Sequence, residues 1–155
     1  MSRILLDTNA LVDLCVNRVP KRHAAMMEML ALLDSPDDAV LVPAPSLKDA
    51  TYIIENSAPF KQVVPERAER MGLARRMRDA VFMQCEVVAV DAAVARRAHR
   101  NRDEKDYDDA LVAECALASG ADVIISSDKS AFENARVPKA TPEEFAAHLR
   151  LLRRR

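Results

Sequence analysis

Four aspartates stand where a carboxylate could take part in chemistry, at the end of an apolar run or near the start of a helical pattern. Asp7 follows "ILL", Asp49 and Asp109 lie in the first turns of predicted helices, and Asp128 comes two residues after Ser126. Any one of them is ordinary, because Asp builds turns and complements the positive end of a helix dipole. Four that met would instead repel one another and raise each other's pKa values. Such a cluster usually holds a hard divalent cation, Mg²⁺ or Mn²⁺, which prefers oxygen ligands.

The apolar pattern of the chain predicts that these four positions share one edge of a sheet. Short apolar runs alternate with longer stretches of helical periodicity, which is typical of parallel βαβ units. We therefore expect an α/β fold, a three-layer α/β/α sandwich around a central, mainly parallel sheet of four or five strands. Ligands bind such sheets beyond the carboxyl ends of the strands, where the four aspartates fall. The predicted strands are 3–6, 40–42, 87–90 and 123–125, with a short fifth beginning at Val137.

The helices that present these carboxylates carry start signals in the sequence. Ser46 is predicted to be the N-cap of a helix that runs to about Asn56, with Asp49 in the third position of a capping-box-like arrangement. The last helix is expected to begin with Thr141 as its N-cap and Pro142 in its first turn. Further helices are predicted from about residue 10, over 20–33, 65–85 and 106–119, and in the stretch after residue 91.

The composition fits one soluble domain with a substantial core and excludes several kinds of site. The chain has 155 residues, half of them hydrophobic, and a net charge of −1, which argues against a broad cationic surface. Glycine occurs only at Gly72 and Gly120, which rules out the glycine-rich loops that cradle nucleotides. The three cysteines and three histidines show no metal-ligand spacing. No apolar run approaches the ~20 residues of a membrane helix and none reads as a signal peptide, so we expect a cytoplasmic protein without a membrane partner.

Basic residues are concentrated between Lys61 and Asp79, a stretch that contains six basic and three acidic residues. A solvated helix face is the commoner explanation of such a stretch. The alternative is that Arg75, Arg76 and Arg78 bind nucleic-acid phosphates beside an acidic pocket. The arginines at the C-terminus could likewise bind phosphates or simply be solvated. We predict a single domain over 1–149 followed by a basic tail, 150–155.

Four segments, in this order and at suitable spacing, resemble the PIN-domain nucleases, and especially the VapC-type toxin ribonucleases of bacterial toxin–antitoxin modules. The segments are "LLDTNALVDL" (5–14), "SLKDATYII" (46–54), "YDDALVAECALASGADVIISSDKSAF" (107–132) and "TPEEF" (141–145). The resemblance spans nearly the whole chain. It is the ordered set, more than any single segment, that is specific.

The resemblance implies a metal site whose acids and polar supports match positions of this chain. Many members of the family carry Glu where this chain has the shorter Asp49. Asp106, three residues before Asp109 and on the same predicted helix face, is favoured over Asp108 as an additional ligand. The matched acids are Asp7, Asp49, Asp109 and Asp128, and the supports are Asn9 and Ser126.

The activity implied by this resemblance is Mg²⁺- or Mn²⁺-dependent hydrolysis of RNA. A bound ion would lower the pKa of a coordinated water and neutralise charge on the phosphodiester, with Asp109 or Asp49 steering the water. The implied substrate is single-stranded or looped RNA, cleaved to leave a 5′-phosphate and a 3′-hydroxyl. The implied partners are a small antitoxin protein and a second copy of the chain.

Two other functions compete with this one. A haloacid dehalogenase-type phosphatase also places an Asp after its first strand, but it needs a second Asp two residues later, where this chain has Asn9. A catalytically inactive PIN-like scaffold would act through protein contacts alone. Against the scaffold stands the presence of an acid at all four positions.

Overall fold

The computed structural model describes residues 2–153, and these residues contain one five-stranded parallel sheet. Its strand order is β3-β2-β1-β4-β5, and every neighbouring pair is parallel. The predicted α/β architecture is therefore confirmed. The strands are β1 (Arg3–Leu6), β2 (Ala39–Pro43), β3 (Glu86–Val88), β4 (Val123–Ile125) and β5 (Lys139–Ala140).

Helices connect the strands and cover both faces of the sheet. The short α4 was not predicted, and the other helices match predicted stretches to within a few residues. The helices are α1 (Thr8–Cys15), α2 (Pro20–Ala31), α3 (Ala44–Asn56), α4 (Ala58–Val63), α5 (Arg67–Gln84), α6 (Ala92–Arg100), α7 (Tyr107–Ala118) and α8 (Pro142–Arg153). None of these helices is long and apolar enough to span a membrane.

Side chains of the central strand β1 point alternately into two separate apolar clusters. Ile4 and Leu6 belong to one cluster, with residues of α1, α2, α3, α5 and α8, whereas Leu5 belongs to the other, with Val112 and Cys115 of α7. This alternation follows from the two-residue period of a strand. Burying an apolar side chain of this size stabilises the fold by about 1.5–3 kcal/mol, so both faces hold the strand in register.

The register of the sheet brings the ends of its central strands to one level. Leu5 pairs with Leu41 of β2 and with Ile124 of β4. The residues that follow these strands therefore leave the sheet side by side. Immediately after β1, the backbone N–H of Asp7 still donates to the carbonyl of Ile125 at 3.2 Å.

The prediction that Ser46 caps α3 is wrong. The helix begins at Ala44 with Pro43 as its N-cap, and Pro45 stands in the first turn, where a helix needs no backbone donor. Ser46 consequently lies inside the helix and is buried. Because the N-cap lies three residues earlier than predicted, Asp49 lies in the second turn and forms no capping box.

Two strand predictions also need correction. β3 ends at Val88, not at residue 90, and Asp91 instead caps α6 by accepting a hydrogen bond from Val94 N at 2.8 Å. β5 begins at Lys139, two residues after the predicted Val137.

The last helix starts as predicted but extends further. Thr141 Oγ1 accepts from Glu144 N at 3.2 Å while the Glu144 carboxylate accepts from Thr141 N at 2.8 Å, a capping box worth about 1 kcal/mol. α8 runs to Arg153, so residues 150–153 of the predicted basic tail are helical. Arg150 pairs with Glu28, and Arg153 pairs with Asp34 at 2.8 Å. Residues 154 and 155 lie outside the described part of the chain.

Candidate functional site

Asp7 is a buried carboxylate held in a fixed orientation at the junction of β1 and α1. It is the N-cap of α1, and its Oδ1 accepts a hydrogen bond from Ala10 N at 2.6 Å. Its other oxygen, Oδ2, accepts from Ser126 Oγ at 2.5 Å. Burial raises the pKa of Asp7 to about 6 against the lowering effect of these two bonds, and the charges of Asp13 and Asp109 raise it further. Ionised Asp7 therefore favours a positive partner nearby.

Ser126 joins the ends of the two central strands. The residue is fully buried directly after β4, where its hydroxyl donates to Asp7 and accepts from the backbone N–H of Asp128 at 3.1 Å. The family resemblance implies a supporting role for Ser126, and in the structure its hydroxyl contacts both Asp7 and the backbone of Asp128. One hydroxyl thus fixes both an acidic side chain and the loop that carries the next one.

Asp128 is exposed and organises its own loop. Its Oδ1 accepts from Ser130 N at 2.8 Å, from Ser130 Oγ at 3.0 Å and from Ala131 N at 3.3 Å. The bonds from Ser130 hold the pKa of Asp128 below its usual value. This carboxylate is therefore charged at neutral pH, and only one of its oxygens is used by the loop.

Asp109 lies in the first turn of α7 and is partly buried. Burial raises its pKa, and the neighbouring charges of Asp106 and Asp128 raise it further. Asp106 is the N-cap of this helix, and its Oδ1 accepts from Asp109 N at 2.9 Å. Asp106 and Asp128 therefore interact electrostatically with Asp109. One carboxylate oxygen of Asp106 already accepts the hydrogen bond that caps α7.

Asp49 and Ser46 lie one turn apart on α3. Asp49 is partly exposed, and its Oδ1 lies 3.3 Å from Nζ of the exposed Lys48. The Ser46 hydroxyl is buried and has no hydrogen-bond partner in the structure, a costly condition for a polar group. A missing water or ligand is a common reason for such an orphaned group.

One small cavity, of about 80 Å³, collects these side chains at the carboxyl edge of the sheet. Asp7, Asp49, Asp109 and Asp128 line it, and so does Asn9, whose amide oxygen accepts from Arg18 at 3.0 Å. Among residues 2–153 its walls include no lysine, arginine or histidine. The other lining residues are Thr8, Pro45, Ser46, Asp108, Leu111, Val112, Ala131 and Phe132.

Some predicted residues lie elsewhere. Asp108, not Asp106, lines the cavity, because Asp106 has the extended backbone of an N-cap and lies off the helix face that the three-residue spacing assumed. The predicted nucleic-acid ligands Arg75, Arg76 and Arg78 are not among the cavity's lining residues. Arg78 donates to Thr51 Oγ1 at 3.1 Å, and Arg76 lines an apolar groove between α1, α2 and α5.

The loop that carries Asp128 is held by two residues that sequence reasoning missed. Lys139 Nζ donates to the carbonyls of Asp128, Lys129 and Ala131 at 2.9, 3.1 and 2.6 Å. On the other side, Glu104 Oε2 accepts from Phe132 N at 3.1 Å, and Phe132 has a positive φ of 61°. No local motif marks either residue, since both reach the loop from distant segments.

A second missed pair supports the start of α1. Asp13 is buried and its carboxylate lies 2.9 Å from Nε of Arg18, the residue that also bonds Asn9. No local motif in the sequence marks Asp13 for this role. Arg18 thus neutralises Asp13 and orients Asn9 at the rim of the cavity.

The donor set fits a hard divalent cation in chemistry. Carboxylate and hydroxyl oxygens are its ligands of choice, and Mg²⁺ commonly keeps several waters while binding only one or two carboxylates directly. The buried Ser46 hydroxyl lacks a hydrogen-bond partner, which a polar ligand would supply. The negative charges of Asp106 and Asp128 beside Asp109 would be stabilised by a cation. Within residues 2–153, however, no three acidic, histidine or cysteine side chains lie close enough together to hold a metal ion as they stand.

Comparison with known proteins identifies the family. A model of the PIN domain matches residues 3–130, and the chain belongs to the PIN domain family. The resemblance found in the sequence is confirmed to this extent. A comparison with curated proteins gives no significant match.

Two solved structures share the fold. VapC20 of Mycobacterium tuberculosis, a toxin that cleaves the sarcin–ricin loop, is 17% identical with a TM-score of 0.61, over 81% of this chain and 90% of its own. VapBC2 of Rickettsia felis, bound to a DNA fragment from its promoter, is 15% identical with a TM-score of 0.61, over 90% of this chain and 98% of its own. At these identities the likeness concerns the fold.

Proposed function

We propose that the protein is a metal-dependent endoribonuclease, and that it is the toxin of a toxin–antitoxin pair. The observation that carries the proposal is the one cavity that Asp7, Asp49, Asp109 and Asp128 all line, although they come from four separate segments of the chain. Membership of the PIN domain family supports it, and in the resemblance drawn from the sequence these four positions correspond to that family's acids. The fold that the chain shares with VapC20, a toxin that cleaves the sarcin–ricin loop, supports the toxin assignment.

Asp7, Asp49, Asp109 and Asp128 would hold Mg²⁺ or Mn²⁺, which when bound lowers the pKa of a water and neutralises phosphodiester charge. The chain's own residues prepare that site. Ser126 and the N-terminus of α1 fix both oxygens of Asp7, so its orientation needs no reorganisation during the reaction. Asp109 or Asp49 steers the attacking water, since neither is tied through both oxygens to neighbouring groups.

The partners follow the same proposal. A small antitoxin would cover the toxin, and we expect two copies of the chain to form a homodimer. The shared fold with VapBC2 is consistent with an antitoxin partner. Co-expression with a small protein encoded next to this gene should yield a stable complex that suppresses cleavage.

The test measures cleavage of a 5′-labelled single-stranded RNA by the purified protein. Mg²⁺ or Mn²⁺ should support cleavage with 5′-phosphate and 3′-hydroxyl ends, and chelation should abolish it. Asp7→Asn should lower the rate by at least about a hundredfold, whereas Asp79→Asn, an exposed acid on α5, should leave it unchanged.

The same experiment separates the rival functions. Folded protein that binds Mn²⁺ but cleaves no RNA would favour the inactive scaffold. Hydrolysis of a small phosphate monoester in place of RNA would favour the phosphatase. Either result would refute the ribonuclease assignment.

A further inference from the structure

A second, larger cleft lies between α6, α7 and the loop that precedes β5, and arginines dominate it. Four of them, Arg97, Arg100, Arg102 and Arg136, line this space of about 350 Å³, which we call the arginine cleft. Its only acidic lining residues among those described are Asp103 and Glu114. No predicted site residue lies in its walls.

Most of the positive charge in the arginine cleft has no counterion. Arg97 pairs with Glu114 at 3.3 Å, and Asn101 also donates to Glu114 at 3.2 Å, so that carboxylate is already used. Arg100, Arg102 and Arg136 are exposed and form no ion pair with any carboxylate of residues 2–153. Three guanidinium groups are therefore free to bind an external anion.

Helix electrostatics explain only part of this arrangement. Arg97 and Arg100 lie in the last turn of α6, where cations complement the helix dipole. Arg102 lies beyond the end of that helix, and Arg136 comes from a loop more than 30 residues away in sequence. A common dipole does not account for cations that converge from separate segments.

The arginine cleft and the acidic cavity are lined by neighbouring residues of α7 and of the loop between β4 and β5. Val112 lines the acidic cavity and Ala113, the next residue of α7, lines the cleft. Ala131 and Phe132 line the cavity, while Asn134 to Arg136 of the same loop line the cleft. A chain that passes through the cavity would therefore meet the arginines a short distance further on.

We propose that the arginine cleft binds the phosphates of single-stranded RNA that flank the bond to be cleaved. Guanidinium groups suit this ligand, because they bind phosphate oxygens in bidentate fashion and read no base sequence. The proposal rests on the ribonuclease function proposed above. It also replaces Arg75, Arg76 and Arg78 as the main phosphate contacts, since Arg78 is engaged by Thr51 and Arg76 faces the apolar groove.

The test compares RNA binding by two variants that each lose three positive charges, both in an Asp7→Asn background that prevents cleavage. The cleft variant carries Arg100→Gln, Arg102→Gln and Arg136→Gln. The matched control carries Arg22→Gln, Arg75→Gln and Arg76→Gln, all exposed positions outside the cleft. Fluorescence anisotropy with a labelled 12-nucleotide RNA gives the affinity as a function of salt.

We expect the cleft variant to bind RNA about ten- to fiftyfold more weakly than its parent at ~0.15 M salt. The slope of log affinity against log salt concentration should be smaller in magnitude by about 2, because a protein that makes fewer phosphate contacts releases fewer counterions on binding. The control should weaken binding by less than about threefold. Equal affinities of the two variants, whether both retained or both reduced, would overturn the proposal.

A kinetic arm separates this inference from the proposed function. In the protein with an intact Asp7, the cleft variant should raise the KM for long RNA about tenfold and leave kcat unchanged. If the unaltered protein cleaves no RNA, the ribonuclease assignment fails, and the anisotropy result still decides whether the arginine cleft binds RNA. If the unaltered protein cleaves RNA and the cleft variant keeps its KM, the arginine cleft is not a phosphate site.

Discussion

Ser126 donates its hydroxyl hydrogen to the buried carboxylate of Asp7 across 2.5 Å, although 119 residues separate the two in sequence. The contact exists because β1 and β4 are parallel neighbours that end at the same level. The same hydroxyl accepts from Asp128 N, so one side chain couples two of the acidic residues. The preorganisation of the site therefore depends on the sheet itself.

Replacing Ser126 with Ala should raise the pKa of Asp7 above its value of about 6, because the lost bond stabilises the ionised carboxylate. It should also lower the free energy of unfolding by about 1–3 kcal/mol at pH 7, since a buried acceptor loses its donor. Urea unfolding measures the second effect. Ser126→Thr, which keeps the hydroxyl, should lose much less stability, and equal losses in the two variants would contradict the proposed bond.

The burial of Asp7 predicts a specific pH dependence of stability without metal. The folded-state pKa of about 6 lies above the usual value of 3.8, so between these pH values the folded state binds a proton that the unfolded state has released. Stability contributed by Asp7 is thus present below pH 4 and is lost as the pH rises through 6, by about 3 kcal/mol in total.

Comparison with Asp7→Asn isolates this effect, because all other titrating groups are common to both proteins. The difference in unfolding free energy, variant minus parent, should grow as the pH rises from 4 to 7. Addition of Mn²⁺ at pH 7 should reduce the difference by stabilising the parent alone. A difference that stays constant across this pH range would contradict the burial argument.

Ser46 and Ser57 allow a matched test of the cavity, because both hydroxyls are buried without partners and only Ser46 lines the cavity. Neither Ser→Ala change should cost more than about 0.5 kcal/mol in folding, since no bond within the chain is lost. Ser46→Ala should weaken Mn²⁺ binding severalfold by calorimetry, and Ser57→Ala should not. Equal affinities in the two variants would show that the Ser46 hydroxyl faces no part of the metal site.

Lys139→Met should loosen the loop that carries Asp128, because it removes three hydrogen bonds to the loop carbonyls. We expect faster hydrogen exchange at residues 130–132 and a fall in kcat of about tenfold with RNA affinity little changed. Lys129→Met provides the control, since that exposed lysine lies on the same loop. Unchanged exchange in Lys139→Met would show that the loop keeps its shape without this residue.

Local patterns of the sequence predict where the acidic positions lie: Asp7 and Ser126 follow apolar strands, and Asp109 lies in the first turn of a helix. These patterns misplace features that depend on the exact residue at which a helix begins. The Pro43-Ala44-Pro45 segment begins α3 before Ser46, and the N-cap conformation of Asp106 leaves Asp108 to line the cavity.

Contacts between distant segments could not be read from one sequence. Lys139 and Glu104 show no periodicity or motif, and they acquire their roles only when β5 and the 101–106 loop fold against residues 128–132. The arginines of α5 illustrate the converse. Their density along the sequence left open a solvated helix face or a phosphate-binding surface, and no local pattern marked the arginines that line the arginine cleft, which come from α6, from the end of that helix and from the loop before β5.

The most direct test of the whole account is a crystal structure of the protein with Mn²⁺, read by its anomalous difference density. The account predicts a peak inside the acidic cavity, within coordination distance of Asp7 or Asp109 and bridged by water to their acidic neighbours. A fully occupied peak on another face, or density showing that cavity empty at saturating Mn²⁺, would contradict it.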